Sequence, residues 1–131
     1  MAGCVLRVSG SHLIAPPELG AEKTRYGLIA DVGHEDSEFK AQLREAEQFL
    51  TQHKAALFTL TTAPGFETAE LDFGVWNKAP EIMAQSHSFP AELVALAGQC
   101  GVGLTVSMYL ASAPQPTVQG PTSPPSAGPR P

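Results

Sequence analysis

Cysteine is scarce in this chain, with Cys4 and Cys100 the only two. They supply neither a disulfide framework nor a Cys-x-x-Cys metal site, and isolated cysteines of this kind are expected as reduced, buried small hydrophobes; whether they pair is left open. Positive charge is also short. Eight Lys and Arg side chains stand against thirteen Asp and Glu, for a formal net charge of −5. Nucleic-acid binding needs a basic stripe along a groove or helix, and Arg7, Lys23, Arg25, Lys40, Arg44, Lys54 and Lys78 form no such cluster along the chain. No nucleic-acid partner is expected. No stretch approaches the roughly eighteen apolar residues that suggest a membrane-spanning helix. The first residues show no charged segment leading into an apolar run, so a cytoplasmic setting without membrane contact is expected. Gly-x-Gly-x-x-Gly, phosphate-loop and His-x-x-x-His spacings are all missing, and no cofactor is expected.

What is present suits one small domain. At 131 residues and 43% apolar composition, the chain can enclose one core but not two. Proline is unevenly placed: seven of the twelve follow Ser112. That stretch has almost no apolar bulk to offset the entropy of ordering. The expectation is an α+β domain over residues 1–112 and a disordered proline-rich tail over 113–131.

Hydrophobic period organises the domain. Cys4 to Ser9 alternates, with Cys4, Leu6 and Val8 on one side and Arg7 and Ser9 on the other, as a strand does. Gly10 to Glu22 holds Pro16, Pro17 and Gly20 without sustained period and reads as a loop. Tyr26 to Val32 alternates again and reads as a second strand. From Asp36 the period becomes helical, because Phe39, Leu43, Ala46, Leu50, His53, Leu57 and Leu60 recur at spacings of three and four. Asp36 or Ser37 is the expected cap. Ala63-Pro64-Gly65 stops the helix, and a break near His53 is an open alternative. Phe66 to Trp76 has the cleanest alternation and predicts a third strand. Ser88 is the expected cap of a second helix that buries Leu93, Leu96 and Ala97 and ends at Gly101, and Leu104 to Leu110 is the last strand. A single four-stranded sheet with two helices packed on one face buries every apolar stripe.

In this order of elements, Leu6-Arg7-Val8-Ser9-Gly10 and Ser88-Phe89-Pro90-Ala91-Glu92-Leu93, leading into Leu104-Thr105-Val106-Ser107-Met108-Tyr109, resemble a bacterial family known as domain of unknown function 4279. The likeness covers about Cys4 to Ala111. It implies a fold and a bacterial-type cytoplasmic setting, and brings neither a substrate nor a catalytic residue.

Chemistry-bearing residues concentrate on the sheet face turned away from the helices. Alternation places Arg7, Ser9, Asp31, Glu70, Asp72, Trp76, Thr105, Ser107 and Tyr109 there. Glu70 and Asp72, two apart on one strand, stand about 7 Å apart on the same side. At that separation each disfavours the other's charge unless Arg7 or a ligand cation intervenes. Aromatic anchors ringed by charge describe a recognition surface, so the candidate binding residues are Arg7, Asp31, Glu70, Asp72, Trp76 and Tyr109. No catalytic residue is assigned. His34-Glu35-Asp36 does not predict a metal site, because adjacent side chains diverge and helix capping accounts for the acids. His53 falls on the buried stripe. Cys100 lacks the neighbouring cations that activate a thiol.

The leading expectation is a non-enzymatic binding module, of immunity type, whose acidic surface occupies a basic site on a protein partner. One alternative is a small acid–base enzyme using Glu70 and Asp72, with Arg7 holding an anion. Another is a structural homodimer formed by self-association of the open sheet face.

Overall fold

In the computed structural model the described residues are 3–77 and 86–110. They form five strands and three helices: β1 (Gly3–Gly10), β2 (Glu22–Lys23), β3 (Gly27–Asp31), α1 (Phe39–Gln52), α2 (Lys54–Thr61), β4 (Phe66–Asn77), α3 (Ala91–Gln99) and β5 (Gly103–Leu110), with a single 3-10 turn at Pro17–Leu19. Residues up to Val75 together with Ser86–Ser107 make up one compact unit, and Trp76, Asn77 and Met108 to Leu110 belong to a second.

The strands lie in the order β2-β3-β1-β4-β5. β1 is antiparallel to β3 and to β4, and β2 is antiparallel to β3. Hydrogen bonds from Thr105 to Glu70 and from Ser107 to Asp72 advance in the same direction along both chains, so β5 runs parallel to β4. The sheet is therefore mixed. A parallel neighbour cannot be reached by a tight turn, and α3 supplies the crossover.

The core forms where the period-two faces meet the helices. Cys4, Leu6 and Val8 of β1, Leu28 and Ala30 of β3, and Ala69, Leu71 and Phe73 of β4 are buried in one cluster with Ala46, Phe49 and Leu50 of α1, Leu57 and Leu60 of α2, and Leu93 and Ala97 of α3. Each large side chain taken fully out of water contributes about 1.5–3 kcal/mol. Phe39, Phe73 and Phe89 meet edge to face, with ring centroids 5.1–5.9 Å apart. Gln42 is the polar member of this interior. Its Nε2 donates to the carbonyls of Ser37 (2.8 Å) and Gly74 (2.7 Å), tying α1 to β4.

A four-stranded sheet carrying two helices is not what forms. The fifth strand is β2, inside the segment read as a loop and its continuation; Glu22 and Lys23 pair with Ile29 and Leu28. Two residues are too few to show a period. The third helix arises because the long helical stripe is interrupted at His53, which leaves helical geometry at φ −111° and ψ 23°. Its ring packs on Phe49 with centroids 4.7 Å apart. The apolar spacing runs through this break undisturbed, because both halves bury their stripe against the same sheet.

The caps differ as well. Glu38 occupies the N-cap of α1 without a side-chain bond, while the Ser37 hydroxyl donates to Glu45 Oε2 at 2.9 Å. Pro90, not Ser88, precedes α3. The proline-rich tail expected over 113–131 lies outside the described residues.

Candidate functional site

The outer face of the sheet is set by register. β1 places Arg7 between Ile29 and Glu70, and Val5 between Asp31 and Asp72. Two rows of side chains thus cross β3, β1 and β4, continued by Thr105 and Ser107 on β5. Arg7 does not pair with Glu70, its register neighbour. Its Nε–H reaches diagonally to Asp72 Oδ2 at 3.1 Å, and the Ser107 hydroxyl donates to Asp72 Oδ1 at 2.7 Å. Both oxygens of Asp72 are therefore held. The Thr105 hydroxyl donates to Glu70 Oε1 at 2.7 Å in the same manner.

Burial divides the group. Asp72 is only 7% exposed, whereas the Arg7 side chain is 48% exposed and Glu70 is half-buried. A carboxylate taken this far from water needs compensation; one charge and one hydroxyl provide it. Arg7 keeps the remainder of its guanidinium fork toward solvent, on a side chain steered by the ion pair.

Arg7, Glu70 and Asp72 are thus brought together. Asp31 is exposed on β3, two strands and about 10 Å across from Asp72 in the same row. Trp76 and Tyr109 belong to the second unit. There they pair with each other, ring centroids 5.5 Å apart and planes inclined by 44°, and are 39% and 37% exposed. Thr105 and Ser107 hold the two carboxylates although neither was a candidate binding residue. Alternation put both on the same face, and their spacing, two apart like Glu70 and Asp72, matches the carboxylates, but the pairing is readable only once β5 is known to lie parallel to β4.

Comparison with protein-family models, curated proteins and solved structures found no match. The chemistry of the residues carries the functional reading.

As an acid–base pair, Glu70 and Asp72 are poorly placed. A general base must offer a free oxygen to a substrate proton, and Asp72 has both of its oxygens engaged. The thiols do not supply a nucleophile either. Cys4 and Cys100 are both free and buried. Burial, reinforced by the negative charges of Asp72 and Glu45, pushes the Cys4 thiol far above its ordinary value. Burial also raises Cys100, against the opposing charge of Lys54. A thiol needs the reverse shift to act as a nucleophile near neutral pH. No cluster of three metal-ligating side chains occurs among the described residues, and none of the described helices is long and apolar enough to cross a membrane.

Proposed function

We propose that this chain is a non-enzymatic binding module whose polar sheet face recognises a basic protein partner. The observation that carries this reading is the Arg7–Asp72–Ser107 array beside Glu70–Thr105. Five polar side chains on three strands are fixed by mutual bonds, so little side-chain entropy remains to be lost on association. The net charge of −5 draws a basic partner over long range and raises its encounter rate. An immunity-type role, in which an acidic surface covers the basic site of a toxin or enzyme, is the form of recognition that this charge suits.

The test begins with the tagged chain and a lysate of its native host, the retained protein being identified and its affinity measured in isolation. Support requires a basic partner whose affinity falls about tenfold, the loss of one good contact, on Glu70→Ala. Unchanged affinity for both Glu70→Ala and Asp31→Ala refutes recognition by this face.

Self-association has an observation of its own. β5 stands at one margin of the sheet and carries no charged residue from Gly103 to Leu110, while the other margin, β2, consists of Glu22 and Lys23 alone. Short, charged edges resist strand pairing and uncharged ones permit it. Light scattering at twice the monomer mass supports a pairing of copies.

A further inference from the structure

A second polar site lies at the end of β1, apart from the array on the outer face. A cavity of about 300 Å³ opens there, and its wall includes Ser11, His12, Lys23, Thr24 and Arg25. No Asp or Glu among the described residues contributes to it. In a chain with thirteen acidic and eight basic residues, this gathering of one Lys, one Arg, one His and two hydroxyls excludes the prevailing charge.

Backbone contacts build the cavity. The amide of Gly10 donates to the Tyr26 carbonyl and that of Ser11 to the Gly65 carbonyl, each at 3.0 Å, while Thr24 N–H closes the hairpin turn onto Gly27 O at 2.8 Å. A Cβ at Gly27 would stand 1.9 Å from the Val8 carbonyl oxygen. Glycine at this position therefore lets the turn that carries Thr24 and Arg25 close onto β1. Leu13, which also lines the cavity, is buried in the core and anchors the loop. His12 is held at φ +60°, the only non-glycine residue among those described with positive φ. That conformation costs an L-residue about 1–2 kcal/mol. Sparsely populated backbone of this kind is concentrated at ligand sites.

Among the described residues the one salt bridge is Arg7–Asp72, so neither Lys23 nor Arg25 is matched by a described carboxylate. Arg25 rests over the Tyr26 ring, 5.7 Å from its centroid, which steadies the guanidinium. A planar fork, a compact ammonium, an imidazole N–H and two hydroxyls together offer more donors than a carboxylate accepts. They suit the three terminal oxygens and double charge of a phosphate monoester.

We propose that this cavity binds the phosphate group of a small phosphorylated molecule, with Lys23 and Arg25 pairing the charge and Ser11, His12 and Thr24 donating to the oxygens. The cavity exceeds what one phosphate group fills, leaving room for the organic part of the ester.

Amide-resolved NMR titration of the full chain tests this with inorganic phosphate, phenyl phosphate and, at matched ionic strength, sodium chloride. Saturable shifts centred on Ser11, His12, Thr24 and Arg25 are expected with both phosphates and not with chloride. Affinity is expected to drop by about tenfold or more in Lys23→Ala/Arg25→Ala. Both side chains are exposed, and Lys23→Gln, which keeps the stem and removes the charge, repeats the test if the double variant does not fold. Shifts that stay linear, match those of chloride, or survive loss of the charges overturn the site. Binding of inorganic phosphate with no gain for phenyl phosphate overturns the ester assignment.

Discussion

Removing a charge beside Asp72 is expected to cost more stability than removing Asp72 itself. Asp72 is nearly buried at 7% exposure, and its charge is balanced by Arg7 and by Ser107. Arg7→Met keeps the aliphatic stem but leaves the carboxylate with one hydroxyl donor. An unsatisfied buried acceptor costs about 1–3 kcal/mol, more when charged, and the half-exposed guanidinium places this pair toward the lower part of that range through solvent screening. Asp72→Val removes the costly group instead. Its former partners are Arg7, which can turn to water, and a Ser107 hydroxyl that is not fully buried, while valine suits a strand. The expected loss is below about 1 kcal/mol, because replacing a buried charge by an apolar group of similar size is often nearly neutral. In the double variant the loss should match that of Asp72→Val alone. Urea unfolding at pH 7 with linear extrapolation measures all three. If Asp72→Val proves the more damaging by about 1 kcal/mol or more, the array stabilises the fold rather than being carried by it, and the case for a face kept for recognition loses its basis.

Two further outcomes follow from the interior. Cys4 has its folded pKa raised above an ordinary thiol value of 9.0 by burial and by Asp72 and Glu45, so above that pH the unfolded chain binds fewer protons than the folded one. Stability should hold below pH 9.0 and decline as pH rises beyond it. The decline should be smaller in Cys4→Ala, and urea midpoints taken across that range show whether it is. Gly27→Ala should lower stability by about 3 kcal/mol, at the upper end for overpacking, because the added methyl meets the Val8 carbonyl; a thermal midpoint equal to the parent's contradicts the β1–β3 approach described above.

Period and register separate what could be read early from what could not. β1 and β4 are paired on both sides and covered on one face, and the apolar positions of their alternation, Cys4, Leu6 and Val8, and Ala69, Leu71 and Phe73, are all buried; on β4 the intervening Asp72 and Gly74 are buried as well. The sheet margin obeys a weaker rule. On β5, Leu104 meets the core while Val106 is exposed, although the alternation along that strand is as regular as that of β1. Gln42 gives the opposite case, a polar residue three after Phe39 and four before Ala46, hence on the buried face of α1, that is fully enclosed with its amide donating to two backbone carbonyls. Of the candidate site, alternation sufficed to put Arg7, Glu70 and Asp72 on one face. The diagonal choice of Asp72 over Glu70 by Arg7 was beyond it, since that depends on reach between neighbouring strands.

Spacing along the chain was enough for the α+β class, for the position of β1, β3, β4 and β5, and for the apolar side of β1, β3 and β4 that turns inward, because local period is dictated by burial against a common core. Strand order, the parallel setting of β5 and the cavity at the end of β1 were decided by tertiary structure alone. Each depends on residues far apart in sequence meeting in space: Ser11 and Gly65, His12 and Lys23, Glu70 and Thr105. Along the chain the basic residues looked scattered. Pairing β2 with β3 and folding the loop after Gly10 beside them is what gathers His12, Lys23 and Arg25 around one cavity.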